Sequence, residues 1–212
     1  MEQNEQMTPE TQPRMHEWLA KLASSEPAPG GGGAAAMTGA MAAGLVAMSA
    51  ALTANKKKYE AYKDEMEDCF AKSKALSERL YGYIEADAKA FLVLNEAYKR
   101  PKDTPGYQEE LDRLLEQAAL VPLSILLAQL ELVPLLEKLS LHGSKLMQSD
   151  VGCAASLCVS AAETAALNVL VNAKLISAPQ TGKALTEKTL LFTRLVKERC
   201  MPIFEKTKGD LS

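Results

Sequence analysis

Apolar residues recur three and four apart along nearly the whole chain, and nowhere do they alternate with polar ones over a strand's length, so the pattern predicts helices throughout. Trp18, Leu19 and Leu22 set the spacing of a first helix that begins after Pro13. Residues 24–29 end it, because Pro27, Pro29 and the residues before them disfavour helix. Four glycines, Gly30, Gly31, Gly32 and Gly33, lead into residues 34–55, which carry no charge. Residues 57–100 read as one or two long charged amphipathic helices, with Tyr59, Tyr62, Met66, Cys69 and Phe70 on an approximate stripe and Gly82 as a weak point. Pro101 and Pro105 bracket a loop. Residues 107–141 form a leucine-rich helical stretch in which Pro122 and Pro134 should each kink the helix or start a new one. A polar break at 143–148 precedes a second small-residue helix, 149–174, and Pro179 and Gly182 separate it from a last helix reaching Phe204.

The predicted fold is all-α: a single-domain antiparallel helical bundle over residues 14–208, preceded by a disordered leader, 1–13. Aromatic residues are only 5% of the 212, so a large core must be built from Ala, Leu, Val and Met. The two small-residue helices are the natural pair to pack face to face at the centre, with the longer amphipathic helices outside. The uncharged run 34–55 has the length of a membrane span. It is dominated by Ala, Gly, Ser and Thr, however, with only two leucines and one valine, which gives weak affinity for lipid. A buried helix and no membrane is the reading the composition favours. The apolar surplus suggests a homodimer.

A net charge of −3 and a pI near 5.6 argue against a general nucleic-acid binder. The N-terminus has neither a basic nor an apolar segment of the signal-peptide kind, so the protein is expected in the cytoplasm. Cys69, Cys153, Cys158 and Cys200 are scattered and form no CxxC pair, and the two histidines, His16 and His142, are far apart, so no metal site and four reduced thiols are expected. With histidine so scarce, acid–base work falls to Asp, Glu or Lys. Gly31, Gly32 and Gly33 open a helix, where free N–H groups favour an anion, or they make a flexible turn. Lys56, Lys57 and Lys58 follow that helix either as a solvated cap or as a basic rim for a carboxylate. Asp87 stands among small residues four before Phe91, as a surface charge or as a carboxylate facing an apolar pocket. Ser156, Ser160, Thr164, Asn168 and Asn172 recur at intervals of four, as an interhelix hydrogen-bonding ridge or as amides that hold a heterocycle.

Three blocks carry a resemblance. The first is Pro27-Ala28-Pro29-Gly30-Gly31-Gly32-Gly33-Ala34-Ala35-Ala36, followed by Leu52-Thr53 and Lys56-Lys57-Lys58-Tyr59. The second runs from Asp87-Ala88 and Phe91 to Arg100-Pro101-Lys102-Asp103-Thr104. The third is Ser149-Asp150-Val151-Gly152-Cys153-Ala154-Ala155, with Ala166-Leu167-Asn168-Val169 and Asn172 after it. In order and spacing, over roughly residues 14–205, they resemble the formiminotetrahydrofolate cyclodeaminase/methenyltetrahydrofolate cyclohydrolase family. One departure is visible: the family usually has Ser after three glycines, where this chain has Gly33.

The resemblance implies folate one-carbon chemistry without metal or redox cofactor, on a mono- or polyglutamylated folate. The reaction is cyclisation of 5-formimino-tetrahydrofolate with loss of ammonia, or hydrolysis of 5,10-methenyl- to 10-formyl-tetrahydrofolate. It implies Asp87 as the catalytic carboxylate with Asp150 second, and Lys102 as proton donor or carboxylate anchor. Asn168 and Asn172 would hold the pterin, while Gly31, Gly32 and Gly33 with Lys56, Lys57 and Lys58 would meet the glutamate tail. A non-catalytic helical dimerisation or scaffold protein is the alternative of another class, and it would gain no thermal stability from reduced folates.

Overall fold

The computed structural model describes residues 15–212, so the expected leader lies outside the described residues, and in it the chain forms six helices. A short α1 (Met15–Leu22) is followed by α2 (Gly31–Ala54), α3 (Lys63–Tyr98), α4 (Tyr107–His142), α5 (Gln148–Leu175) and α6 (Pro179–Leu211). Among the described residues there is no strand. Short 3-10 turns, Lys57–Tyr62 and Lys145–Met147, lead into α3 and α5.

The long stretches run on as single helices, which decides between the alternatives left open at Gly82, Pro122 and Pro134 only as to continuity. Gly82 does not interrupt α3, where it is exposed and meets no neighbour that its missing side chain would have contacted. Pro122 and Pro134 both lie inside one continuous α4, so neither starts a new helix. A proline costs its helix one N–H donor, and the apolar burial of α4, with Leu115, Ile125, Leu126, Leu132 and Leu136 fully buried, outweighs that local loss. Pro179 opens α6 as its first residue, where a missing N–H has no consequence.

Sequential helices run antiparallel. Asp87 of α3 lies against Gly32 of α2, and Ser77 donates to the carbonyl of Ala40. Arg79 of α3 pairs with Glu131 of α4. Gly182 of α6 approaches α5 so closely that a Cβ there would stand 2.6 Å from the Ala173 carbonyl oxygen. Helices α2 and α5 also lie antiparallel: Gly31 faces Asn168 at one end, while Lys56 and Thr53 bond Ser144 at the other.

This pair is flanked by α3 and α6, and α4 packs across its back, contacting all four. Its front is uncovered. There Met41, Met48 and Leu52 of α2 and, nearer the α2 N-terminal end, Leu167 and Val171 of α5 are all more than a third exposed. The small-residue helices are thus central, as expected, but not enclosed. Close approach still follows from alanine: Ala35, Ala36, Ala42, Ala43 and Ala50 of α2 and Ala154, Ala155, Ala161 and Ala165 of α5 have no exposed surface. By length and composition α2, α4 and α5 are each apolar enough to cross a membrane, yet at least half of each apolar stretch is buried within the bundle.

Candidate functional site

At the end of the bundle where α2 begins, four helices enclose a cavity of about 230 Å³. Gly31 and Gly32 form part of its floor, with Pro27, Ala28 and Gly30 of the preceding turn at its edge. Asp87, Phe91, Leu94 and Tyr98 of α3 form one wall, Ala118 and Pro122 of α4 the back, and Asn168, Val171, Asn172 and Leu175 of α5 the other wall. Asp87, Phe91, Leu94 and Tyr98 are spaced four, three and four apart, the stripe of one helix face.

The glycines explain how Asp87 and Asn168 come so close to a helix terminus. A Cβ at Gly32 would stand 2.0 Å from Asp87 Oδ1 and 2.4 Å from its Cγ, inside any tolerable contact. One at Gly31 would stand 3.1 Å from Asn168 Nδ2. Gly33 differs: its Cβ would meet Pro29, Trp18 and Ile84 at 3.6–3.8 Å, which is ordinary contact. A Cβ therefore has room there, and Gly33 does not line the cavity.

Asp87 is half-buried. Burial pushes its carboxyl above the ordinary carboxylate range, against the opposing effect of a hydrogen bond that it accepts from the Gly33 N–H. The carboxylate thus also caps the first turn of α2 from a neighbouring helix, where free N–H groups favour negative charge. Its environment makes it a better proton acceptor than a solvated aspartate. Tyr98 has its phenol pushed up by burial and by Tyr107, so it remains protonated at neutral pH.

Asn168 and Asn172 do not bond across helices. Each Nδ2 donates to the carbonyl one turn back on α5, Thr164 at 2.8 Å and Asn168 at 3.0 Å. That leaves each Oδ1 for the cavity. The remainder of the polar ridge departs from the pocket: Thr164 donates to the Ser160 carbonyl, and Ser156 and Ser160 are exposed on the uncovered front.

Other candidate residues lie elsewhere. Lys56, Lys57 and Lys58 follow the far end of α2, about 35 Å from Gly31 at 1.5 Å per helical residue. Lys56 donates to Ser144 Oγ there, and Lys57 and Lys58 are exposed. Asp150 sits in the first turn of α5, about 27 Å along that helix from Asn168, in the place where an acidic residue suits the helix dipole. Within one chain none of these reaches the pocket. Lys102 is exposed in the α3–α4 loop, four residues beyond Tyr98, and does not line the cavity. The structure thus brings together Gly31, Gly32, Asp87, Asn168 and Asn172, and adds Phe91, Tyr98, Ala118 and Pro122. Tyr98 was readable from its place on the Asp87 stripe. Nothing local marked Ala118.

Among the described residues no three His, Cys, Asp or Glu side chains cluster to hold a metal. All four cysteines are free, with Cys69, Cys158 and Cys200 buried and Cys153 exposed.

A sequence profile described as Formiminotransferase-cyclodeaminase matches residues 14–190. A methenyltetrahydrofolate cyclohydrolase of Methylorubrum extorquens is 39% identical over 161 residues, covering 74% of this chain and 77% of that protein. A formimidoyltransferase-cyclodeaminase of Sus scrofa is 34% identical over 161 residues; the match takes in 74% of this chain but only 30% of that longer protein. The crystal structure of a formiminotetrahydrofolate cyclodeaminase from Thermotoga maritima superposes with a TM-score of 0.81 at 31% identity, covering 91% of this chain and 96% of that one.

Proposed function

The chain belongs to the formiminotransferase-cyclodeaminase family, and on that premise we propose that it is a folate enzyme acting on the carbon that bridges N5 and N10 of tetrahydrofolate. The carrying observation is Asp87, a half-buried carboxylate seated on Gly32 and facing a cavity that it shares with two asparagine amides.

In cyclodeamination, N10 attacks the protonated formimino carbon of 5-formimino-tetrahydrofolate. The C–N10 bond forms, Asp87 accepts the N10 proton and returns it to the amino nitrogen, and ammonia leaves with 5,10-methenyl-tetrahydrofolate. A carboxylate beside the delocalised cation also stabilises it electrostatically, and a raised pKa suits a group that both takes and gives a proton. The second reading is cyclohydrolysis, favoured by the 39% identical relative. There Asp87 takes a proton from water as it adds to the methenyl carbon and passes it to N5 as the C–N5 bond breaks, while the hydroxyl proton is lost to solvent as the formyl C=O forms, and 10-formyl-tetrahydrofolate results.

A cavity of about 230 Å³ is small for a whole ligand of this size. It suits the pterin, held by Asn168 and Asn172 with Gly31 and Gly32 below, while the aminobenzoylglutamate tail leaves past Val171 and Leu175. Feeding the protein each folate and following the near-ultraviolet absorbance of the methenyl compound tests the proposal. Absorbance rising from the formimino substrate supports the first reaction, and accelerated decay of the methenyl compound supports the second. A folded protein that does neither overturns the proposal.

We further infer a homodimer formed through the uncovered α2/α5 front. On that front α2 exposes Met41, Met48 and Leu52, and α5 exposes Leu167 and Val171 toward the pocket end with Ser156 and Ser160 between; all are uncharged and most are apolar, the character of an interface centre. In a two-fold pairing that runs the two α2 helices antiparallel, Lys56, Lys57 and Lys58 of one copy approach the pocket end of the other. That arrangement would give the tail carboxylates the cations that the pocket itself lacks.

A further inference from the structure

We infer that the backbone carbonyl of Ala118 is a ligand acceptor of this pocket, set free for that role by Pro122. In an α-helix the carbonyl of residue 118 accepts from the N–H of residue 122. Pro122 has no N–H to give. Among the described residues no side chain donates to that carbonyl either, although side chains do bond others on α4, Ser124 to Leu120 and Gln129 to Ile125. Ala118 and Pro122 stand one turn apart on the same face of α4; both are buried, and both line the cavity. A buried acceptor without a donor is unfavourable, which makes a donor inside the cavity the natural partner.

The opposite wall also presents acceptors, beside the donors that the second Nδ2 hydrogen of each asparagine and the Tyr98 hydroxyl supply. Asn168 and Asn172 use an Nδ2 hydrogen on their own helix and keep Oδ1 free, and Asp87 takes only the Gly33 N–H. Acceptors from three helices therefore surround one small cavity. The complementary ligand is a flat heterocycle with several N–H donors on its edges. A reduced pterin, with its 2-amino group, N3–H and N8–H, has that character. The inference rests on the folate reading given above and adds to it which half of the ligand α4 recognises. Pro134 supplies the contrast: it frees a carbonyl in the same way, but it is exposed and outside the cavity.

Binding of tetrahydrofolate and of p-aminobenzoylglutamate, measured by calorimetry on the full chain, tests it. Pro122→Ala supplies the missing N–H and closes the helical bond onto Ala118. We expect it to weaken tetrahydrofolate about tenfold, to leave p-aminobenzoylglutamate unchanged, and to raise Tm. KM should rise more than kcat falls. Pro134→Ala, which makes the same backbone repair away from the cavity, should leave both affinities unchanged. Pro122→Ser restores the same N–H and serves if the alanine variant folds poorly. Equal tetrahydrofolate affinity in wild type and both Pro122 variants overturns the inference. A wild-type protein that binds no tetrahydrofolate overturns the folate reading, and this inference with it.

Discussion

Replacing Gly32 with alanine tests the site with a single added carbon. The new Cβ would stand 2.0 Å from Asp87 Oδ1 and 2.6 Å from Oδ2, whereas ordinary contact begins at 3.4 Å. The carboxylate must then withdraw by about 1.4 Å, or α2 and α3 must part by a similar amount. Withdrawal also strains the bond that Asp87 accepts from Gly33 N–H. A displacement of about 1 Å at a reacting group costs on the order of a hundredfold in rate, so kcat/KM should fall by at least that much. Stability should fall by about 1 kcal/mol, because overpacking of this kind costs roughly 1–3 kcal/mol and the helix preference for alanine over glycine, roughly 1 kcal/mol, offsets part of it. Gly33→Ala is the internal control, since its Cβ meets neighbours only at 3.6 Å and beyond. That variant should keep close to the wild-type rate and melt no lower than wild type. Initial rates from the methenyl absorbance, with thermal melts on the same samples, decide the matter. Wild-type turnover in a folded Gly32→Ala protein refutes Asp87 as the reacting carboxylate.

Three further outcomes are expected. Asp87→Asn should lose on the order of a hundred- to ten-thousandfold in kcat. Burial raises the folded-state pKa of Asp87, so the stability linked to its protonation is present below the unfolded carboxylate value and lost as pH rises through the folded one. The asparagine variant, free of that loss, should therefore melt at or above wild type at neutral pH, with the advantage vanishing in acid; a much lower melting point at pH 7 argues instead for an essential cap. Asn172→Ala removes one cavity acceptor and one bond to the Asn168 carbonyl, and should raise KM about tenfold while costing about 1 kcal/mol, read from steady-state kinetics and urea unfolding. Met48→Lys puts a charge at the centre of the uncovered front and should turn a dimer into a monomer in sedimentation, with a higher KM for polyglutamylated folate; an unchanged sedimentation coefficient places the interface elsewhere.

Helix after helix was readable from apolar spacing, because each long helix has a face that must be buried. At Pro122 and Pro134 a local penalty allows either a kink or a new helix, and the tertiary burial of Leu126, Leu132 and Leu136 shows why α4 continues through both. For the site, type and position singled out Asp87, Asn168, Asn172, Gly31 and Gly32, and the fold brings these together. Lys56 and Asp150 were grouped with them because the blocks that contain them also contain pocket residues. A helix separates its two ends by 1.5 Å per residue, however, and antiparallel packing decides which ends meet. Of the amide ridge, Asn168 and Asn172 line the cavity, but each donates along its own helix and not across to another. Ala118 left no trace in the sequence, because its contribution is a main-chain atom and its cue lies four residues away.

Nearly all of the cavity wall is helical, and only residues 27–30 of the turn before α2 lack that support. A guest molecule meets a rigid seat, not a flap that folds over it. Crystals grown without ligand should therefore survive soaking with a folate, and the empty and filled lattices should superimpose except at that turn.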